Sequence, residues 1–261
     1  MNPTLRPAYA RAALLAALLG AAPVSAQTSS SDGSQTQLWA ELVAGKRHGH
    51  RWYTQIDLEP RWQVTGDTWR SLELTPHVEF YPTDWVDLDA EVLVGNTLQR
   101  DGLDTFELTP RVGARFHLLS RLAPYRPDIG GLEERLPLTR LGVSTLVRLE
   151  WRNLFYSDDT PDKHQWRARL RLEGWLALNR AKLSAEKTLY AVGAGEYFVP
   201  LGDDVPERYV NKFRAGLGLG FRFSGRTKIE LLYVRDWNRS SPGAASAEDV
   251  QALDARVKLL F

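Results

Sequence analysis

The chain has no cysteine among its 261 residues. Disulfides, thiol nucleophiles, cysteine metal sites and lipid attachment to an N-terminal cysteine are excluded with it. It has no long apolar run beyond its first 26 residues, so no transmembrane helix is expected in the rest. It also has no surplus of either charge. Lys and Arg number 33, Asp and Glu 32, and the formal net charge is +1. A nucleic-acid partner calls for a basic excess and is not expected. What the chain does have is aromatics: nine Trp, nine Tyr and nine Phe.

The first residues read as a targeting signal. Arg6 and Arg11 give a basic start, Ala12 to Ala22 an apolar run, and Val24-Ser25-Ala26 a small-residue cleavage site. The expectation is a cleaved secretory signal peptide over 1–26. Residues 27–36, "QTSSSDGSQT", are polar and without periodicity, and read as a flexible lead-in. Residues 37–261 then form one domain of a size typical of all-β barrels.

From Gln37 onward, apolar and polar residues alternate, with turn signals between runs. "RWYTQIDLEPRWQV" (51–64) sets Trp52, Thr54, Ile56, Leu58, Pro60 and Trp62 against Tyr53, Gln55, Asp57, Glu59, Arg61 and Gln63. "HQWRARLRLEGWLAL" (164–178) sets Arg167, Arg169 and Arg171 against Ala168, Leu170 and Leu172. A helix would scatter those arginines; a strand aims them all one way. Similar runs at 37–44, 70–80, 85–95, 106–118, 139–155, 185–198, 211–223, 227–237 and 250–261 bring the total to about eleven candidate strands.

A soluble sandwich alternates too, but its strands usually run to about 5–6 residues. Many runs here exceed about ten, the length a tilted membrane strand needs. Trp52, Trp62, Trp69, Trp85, Trp151, Phe155, Trp166 and Trp237 fall near run ends, as in interfacial girdles. "YPTDW", "NRAK" and "FSGR" read as tight turns, "SDDTPDK", "PLGDDVPER" and "RSSPGAASAED" as longer loops. The expected fold is all-β: an antiparallel transmembrane β-barrel of about 10–12 strands. Bacterial single-chain barrels have even counts. Either 37–44 is not a full wall strand, or a twelfth strand is unrecognised.

Several segments resemble one group. These are the signal peptide, "WAEL" (39–42), "VRLEWRNLFYSDD" (147–159) with "WRARLRL" (166–172), "FRAGLGLGFRFSGRTKIELLYVRDWNR" (213–239) and the terminal Phe261. Together they resemble the Gram-negative outer-membrane barrels of the domain of unknown function 2490 family, over roughly 37–261. The segment 120–138 is longer than the turn usual there. The resemblance implies an outer-membrane location and fold, with outer-membrane lipid around the barrel and the barrel-assembly machinery as partner during insertion. It implies no activity.

By alternation, Asp57, Glu59, Glu73, Glu79, Asp87, Asp89 and Glu91 point inward, as do Arg111, Arg115, Arg148, Arg152, Arg167, Arg169, Arg171, Arg214 and Arg222. From Gln37 to Pro110 there are 13 acidic and 6 basic residues; from Arg111 to Phe261 there are 18 and 25. If the two arcs stay apart across water, they select solutes by charge. If they meet across a narrow lumen, they pair. Gly216, Gly218 and Gly220 leave room either for neighbouring arginines or for a solute path.

The expectation is a narrow passive channel for small anionic solutes. The alternatives are a closed, salt-bridged structural or docking barrel, and a lipid-modifying enzyme. His77 and His117 face the lumen with no serine beside either in its own strand, although His164 and Ser157 could meet between loops. "HGH" (48–50), "DLDAE" (87–91) and "SDDTPD" (157–162) contain metal-ligand types, but a histidine turn, salt bridges and a solvated loop account for them. No cofactor and no metal are expected, and the barrel is expected to be a monomer.

Overall fold

The computed structural model describes residues 35–65, 70–83, 85–98, 104–119, 140–201, 212–238 and 249–261. Eleven strands account for nearly all of them: β1 (Gln35–His48), β2 (Trp52–Gln63), β3 (Arg70–Phe80), β4 (Val86–Leu98), β5 (Thr105–Leu119), β6 (Leu141–Tyr156), β7 (Lys163–Ala177), β8 (Thr188–Leu201), β9 (Lys212–Ser224), β10 (Thr227–Asn238) and β11 (Asp249–Leu260). Each pairs with its sequence neighbours, and β1 pairs with β11 to close the barrel. The expected signal peptide, Trp69, the segment 120–138 and the loops around 202–211 and 239–248 lie outside the described residues.

Two expectations about the wall are corrected. Among the described residues the strands number eleven, within the expected 10–12 but not even, and β1 is a full wall strand of 14 residues. The barrel is also not antiparallel throughout. Gln35 pairs with Val250 and Gly45 with Leu260, so β1 and β11 run parallel. An odd number of strands closes if one seam is parallel, and parallel ladders make evenly spaced hydrogen bonds at little cost per residue.

The turn expected at "NRAK" is also corrected. β8 starts at Thr188, and residues 178–187 form a folded connection. Asn179 Nδ2 donates to the Lys187 carbonyl (3.1 Å) and its Oδ1 accepts from Leu189 N (2.8 Å). The Thr188 hydroxyl donates to the Ala185 carbonyl at 2.6 Å. Leu183 is buried with Ala177, Tyr190 and Val192. The segment therefore carries its own core contact at the rim that holds the tight turns 49–51 and 225–226.

The outer face is apolar. Leu72, Val112, Leu170, Leu172, Leu219 and Leu231 are exposed there, and Leu217 is 70% exposed. So much continuous exposed hydrocarbon is a liability in water and an advantage in a bilayer. The flanking aromatics are matched across strands: Trp52 with Phe80 (4.7 Å), Phe106 with Phe155 (5.9 Å), Trp151 with Trp166 (5.8 Å) and Phe213 with Trp237 (5.4 Å). Twelve residues at about 3.3 Å each, tilted by about 40°, rise roughly 30 Å, enough for the apolar band. Pro110 interrupts the β5–β6 ladder, whose pairing lapses between Leu108–Asn153 and Arg111–Glu150 and resumes in the same register. A proline there removes a donor. Asn153 supplies one instead, its Nδ2 donating to Leu108 O (2.9 Å) and Trp151 O (3.2 Å).

Candidate functional site

The inner face of the wall is polar because the even pleat of each strand puts every second residue there. The structure places Asp57 and Glu59 on β2, Glu73 and Glu79 on β3, and Asp87, Asp89 and Glu91 on β4. It places Arg111 and Arg115 on β5, Arg148 and Arg152 on β6, Arg167, Arg169 and Arg171 on β7, and Arg214 and Arg222 on β9. All but Asp89 and Arg222 line one lumen cavity of about 310 Å³. Asp89 is bonded to Arg148 at 3.1 Å, and Arg222 is buried on the same pleat as Arg214.

Most of these charges are engaged. Arg111 meets Glu91 (2.9 Å), Arg148 meets Glu91 (2.7 Å), and Arg152 meets Glu107 (2.9 Å). Arg115 meets Glu173 at 2.8 Å. Arg167 Nε donates to Glu150 Oε2 at 2.6 Å. Arg169 meets Glu196 (2.8 Å), and Arg171 meets Glu196 (3.0 Å) and Glu173. Arg214 grips Asp236 with two bonds, at 2.6 and 3.0 Å. Arg61 bridges Glu59 and Glu73, and Arg256 bridges Glu41 and Asp254. Aromatic rings cover several of the cations. Arg61 and Arg214 lie over Trp39 at 4.8 and 4.5 Å, and Arg167 and Arg169 lie over Phe198 at 4.9 and 5.2 Å.

The pairing therefore runs around the wall, and the β7 arginine row is neutralised from β6, β8 and its own strand. Carboxylates on strands β4 and β5 pair with Arg111, Arg148 and Arg152. Glu107, Glu150, Glu173, Glu196 and Asp236 are among the acids missing from the expected lumen set. Their parity was readable in the same strands. The regional charge count hid the last four, because a basic surplus over 111–261 does not show that acids are interleaved among the arginines. The glycines are also assigned differently. A Cβ at Gly220 would overlap the Tyr190 ring, one at Gly45 the Tyr53 ring, and one at Gly218 the β10 backbone. Gly220 makes room for a tyrosine whose hydroxyl donates to Glu230 at 2.7 Å, neither for arginine nor for a solute.

Two histidines sit among acids near the tight-turn rim. His77 lies 3.3 Å from Glu79, 3.8 Å from Glu91 and 3.9 Å from Asp57. His117 Nε2 meets Asp87 Oδ2 at 2.5 Å. Ser144 stands directly opposite His117 on β6, a neighbour visible only once the register is known. Nucleophile activation needs a serine–histidine hydrogen bond, and none joins these two among the described residues. His164 Nδ1 instead contacts Asn153 Oδ1 at 2.8 Å, while Ser157 Oγ accepts from Asp104 N at 2.9 Å.

The metal-type motifs are likewise occupied by protein. His48 Nε2 contacts Thr54 Oγ1 at 2.8 Å. Asp87, Asp89 and Glu91 have the histidine and arginine partners given above. Asp158 accepts from the Thr160 N–H (3.0 Å) and hydroxyl (2.9 Å), and these bonds hold its carboxyl below the usual range. Among the described residues, no group of three His, Asp or Glu side chains is arranged to hold a metal ion.

No curated protein matches the sequence. The structure is similar to a solved one described as the NanC porin in a rhombohedral crystal form. The identity is 10% and the TM-score 0.44, over 85% of this chain and 99% of that one. Residues 36–247, which hold every strand from β2 to β10, match the model of a family described as a protein of unknown function (DUF2490), and the chain belongs to that family.

Proposed function

We propose that this protein is an outer-membrane barrel whose lumen is closed to free diffusion by its ion-pair ladder, and that it serves as a structural or docking element. One observation carries the proposal: Glu150 has no exposure at all, with Arg111, Arg167 and Arg169 gathered on it. A water-filled pore would hydrate a central carboxylate. Eight of the nine arginines expected in the lumen have a carboxylate partner. The exposed apolar belt and its matched aromatics support the membrane setting, with lipid around a single barrel.

Planar-bilayer recording tests this reading. The purified barrel gives no steady single-channel steps; a stable ohmic conductance would replace it with the second reading. That reading is a narrow channel for small anionic solutes, favoured by a cavity of about 310 Å³ that the β7 arginine row lines together with carboxylates. Under it, changing Arg167, Arg169 and Arg171 to Glu turns selectivity toward cations.

A further inference from the structure

Like charges oppose one another at several inner-face positions, Arg148 and Arg169 among them, but there carboxylates on other strands pair with them; one stretch of the wall lacks such partners. Arg222 on β9 stands directly opposite Lys228 on β10, and Lys228 stands directly opposite Lys258 on β11. Three cations thus lie side by side on neighbouring inner-face positions, with about 5 Å between successive Cβ atoms. A register shift at Thr227/Lys228 sets this alignment. Bulges of this kind re-aim side chains. Like charges directly opposed repel, and two such contacts in a row gain nothing for folding.

The counter-charges are sparse. Lys228 meets Glu230 at 3.4 Å, and Glu230 also accepts from Tyr190. Arg222 is only 8% exposed, its Nε has no hydrogen-bond partner, and no carboxylate pairs with it among the described residues. Its other strand neighbour is Thr188, which donates to the Ala185 carbonyl. Lys258 has no ion pair among the described residues either. Glu79, Asp57 and Glu41 act on it from further off, and Val43 stands between Lys258 and Asp57 in the register. A buried, unpartnered guanidinium is costly to leave unsatisfied. Lys228 and Lys258 open onto the lumen cavity.

We infer that Arg222, Lys228 and Lys258 form a binding site for a tetrahedral oxyanion, phosphate or a phosphate monoester. The guanidinium offers a fork of donors and the two ammonium groups offer point charges, the combination that favours phosphate. The site stands whether or not the lumen conducts, since it needs access from the tight-turn rim only.

The experiment is a calorimetric titration of inorganic phosphate into the full chain, folded in non-ionic detergent without phospholipid, at low ionic strength. It is repeated with short-chain phosphatidic acid. Saturable binding of inorganic phosphate identifies a free-anion site. Binding of phosphatidic acid alone identifies a headgroup site of the same chemistry. In either case, Arg222→Gln and Lys258→Gln each weaken binding roughly tenfold or more, whereas Lys182→Gln, which removes an exposed cation, leaves it unchanged. Folding of each variant is checked by its faster migration on an unboiled denaturing gel. No saturable binding by the folded wild-type chain overturns the inference, as does binding that survives both substitutions in folded variants. Conductance plays no part in the readout, so its absence leaves the inference intact.

Discussion

Glu150→Gln is the most informative single change. The substitution keeps the shape and one carbonyl oxygen, so Arg167 retains an acceptor, and only the charge is lost. Around that charge stand Arg167, bonded at 2.6 Å, and Arg111 and Arg169, each 3.8 Å away. At an effective dielectric of about 20, a unit pair at that longer distance attracts by roughly 4 kcal/mol before desolvation. Removing one partner from a buried pair typically costs about 3–5 kcal/mol, because the remaining charge is stranded. Three arginines share one carboxylate here, so the expected loss is about 3–5 kcal/mol. Urea titration of the barrel in lipid vesicles, followed by tryptophan fluorescence, measures it. Adding Arg167→Gln to Glu150→Gln is expected to restore about 1 kcal/mol or more by removing one stranded charge. A loss below about 1 kcal/mol would refute the reasoning. That is the range of water-screened surface pairs, and it would mean that the lumen around Glu150 is hydrated.

Three further changes probe the wall. Asn153→Ala removes the donor that serves the carbonyls beside Pro110, with an expected cost of about 1–3 kcal/mol in the same titration; Pro110→Ala in the same chain recovers part of it. Gly220→Ala pushes the Tyr190 ring from its seat and breaks its bond to Glu230, at a cost of about 1–3 kcal/mol, while Tyr190→Phe alone costs about 1 kcal/mol. Because the chain has no cysteine, Ala40→Cys with Ala255→Cys is expected to cross-link across the β1–β11 seam under oxidation. Ala44→Cys with Ala255→Cys, about 13 Å off register, is not. Non-reducing gels distinguish the two.

The alternation of "RWYTQIDLEPRWQV" and "HQWRARLRLEGWLAL" was enough to assign faces, because period two is a property of single strands. Register was not readable, since it belongs to pairs of strands. Arg167 could be seen to point inward, but not that Glu150 would stand beside it. Ser144 opposite His117 and Tyr190 over Gly220 were hidden for the same reason. The run at β1 alternates as well as any other; what misled was the even-number regularity weighed against it. The β8 boundary failed because "AEK" continues the polar alternation while its backbone turns, with Lys187 at φ 56°.

The parallel seam has a consequence for sidedness. In a barrel with an even number of antiparallel strands, the first and last strands meet the outside world at the same rim. Here Gln35 pairs with Val250 and Gly45 with Leu260, so Gln35 and Leu260 mark opposite rims. The two strands that close the barrel therefore start at one rim and end at the other, so a label confined to one rim reaches Gln35 and Val250 but neither Gly45 nor Leu260.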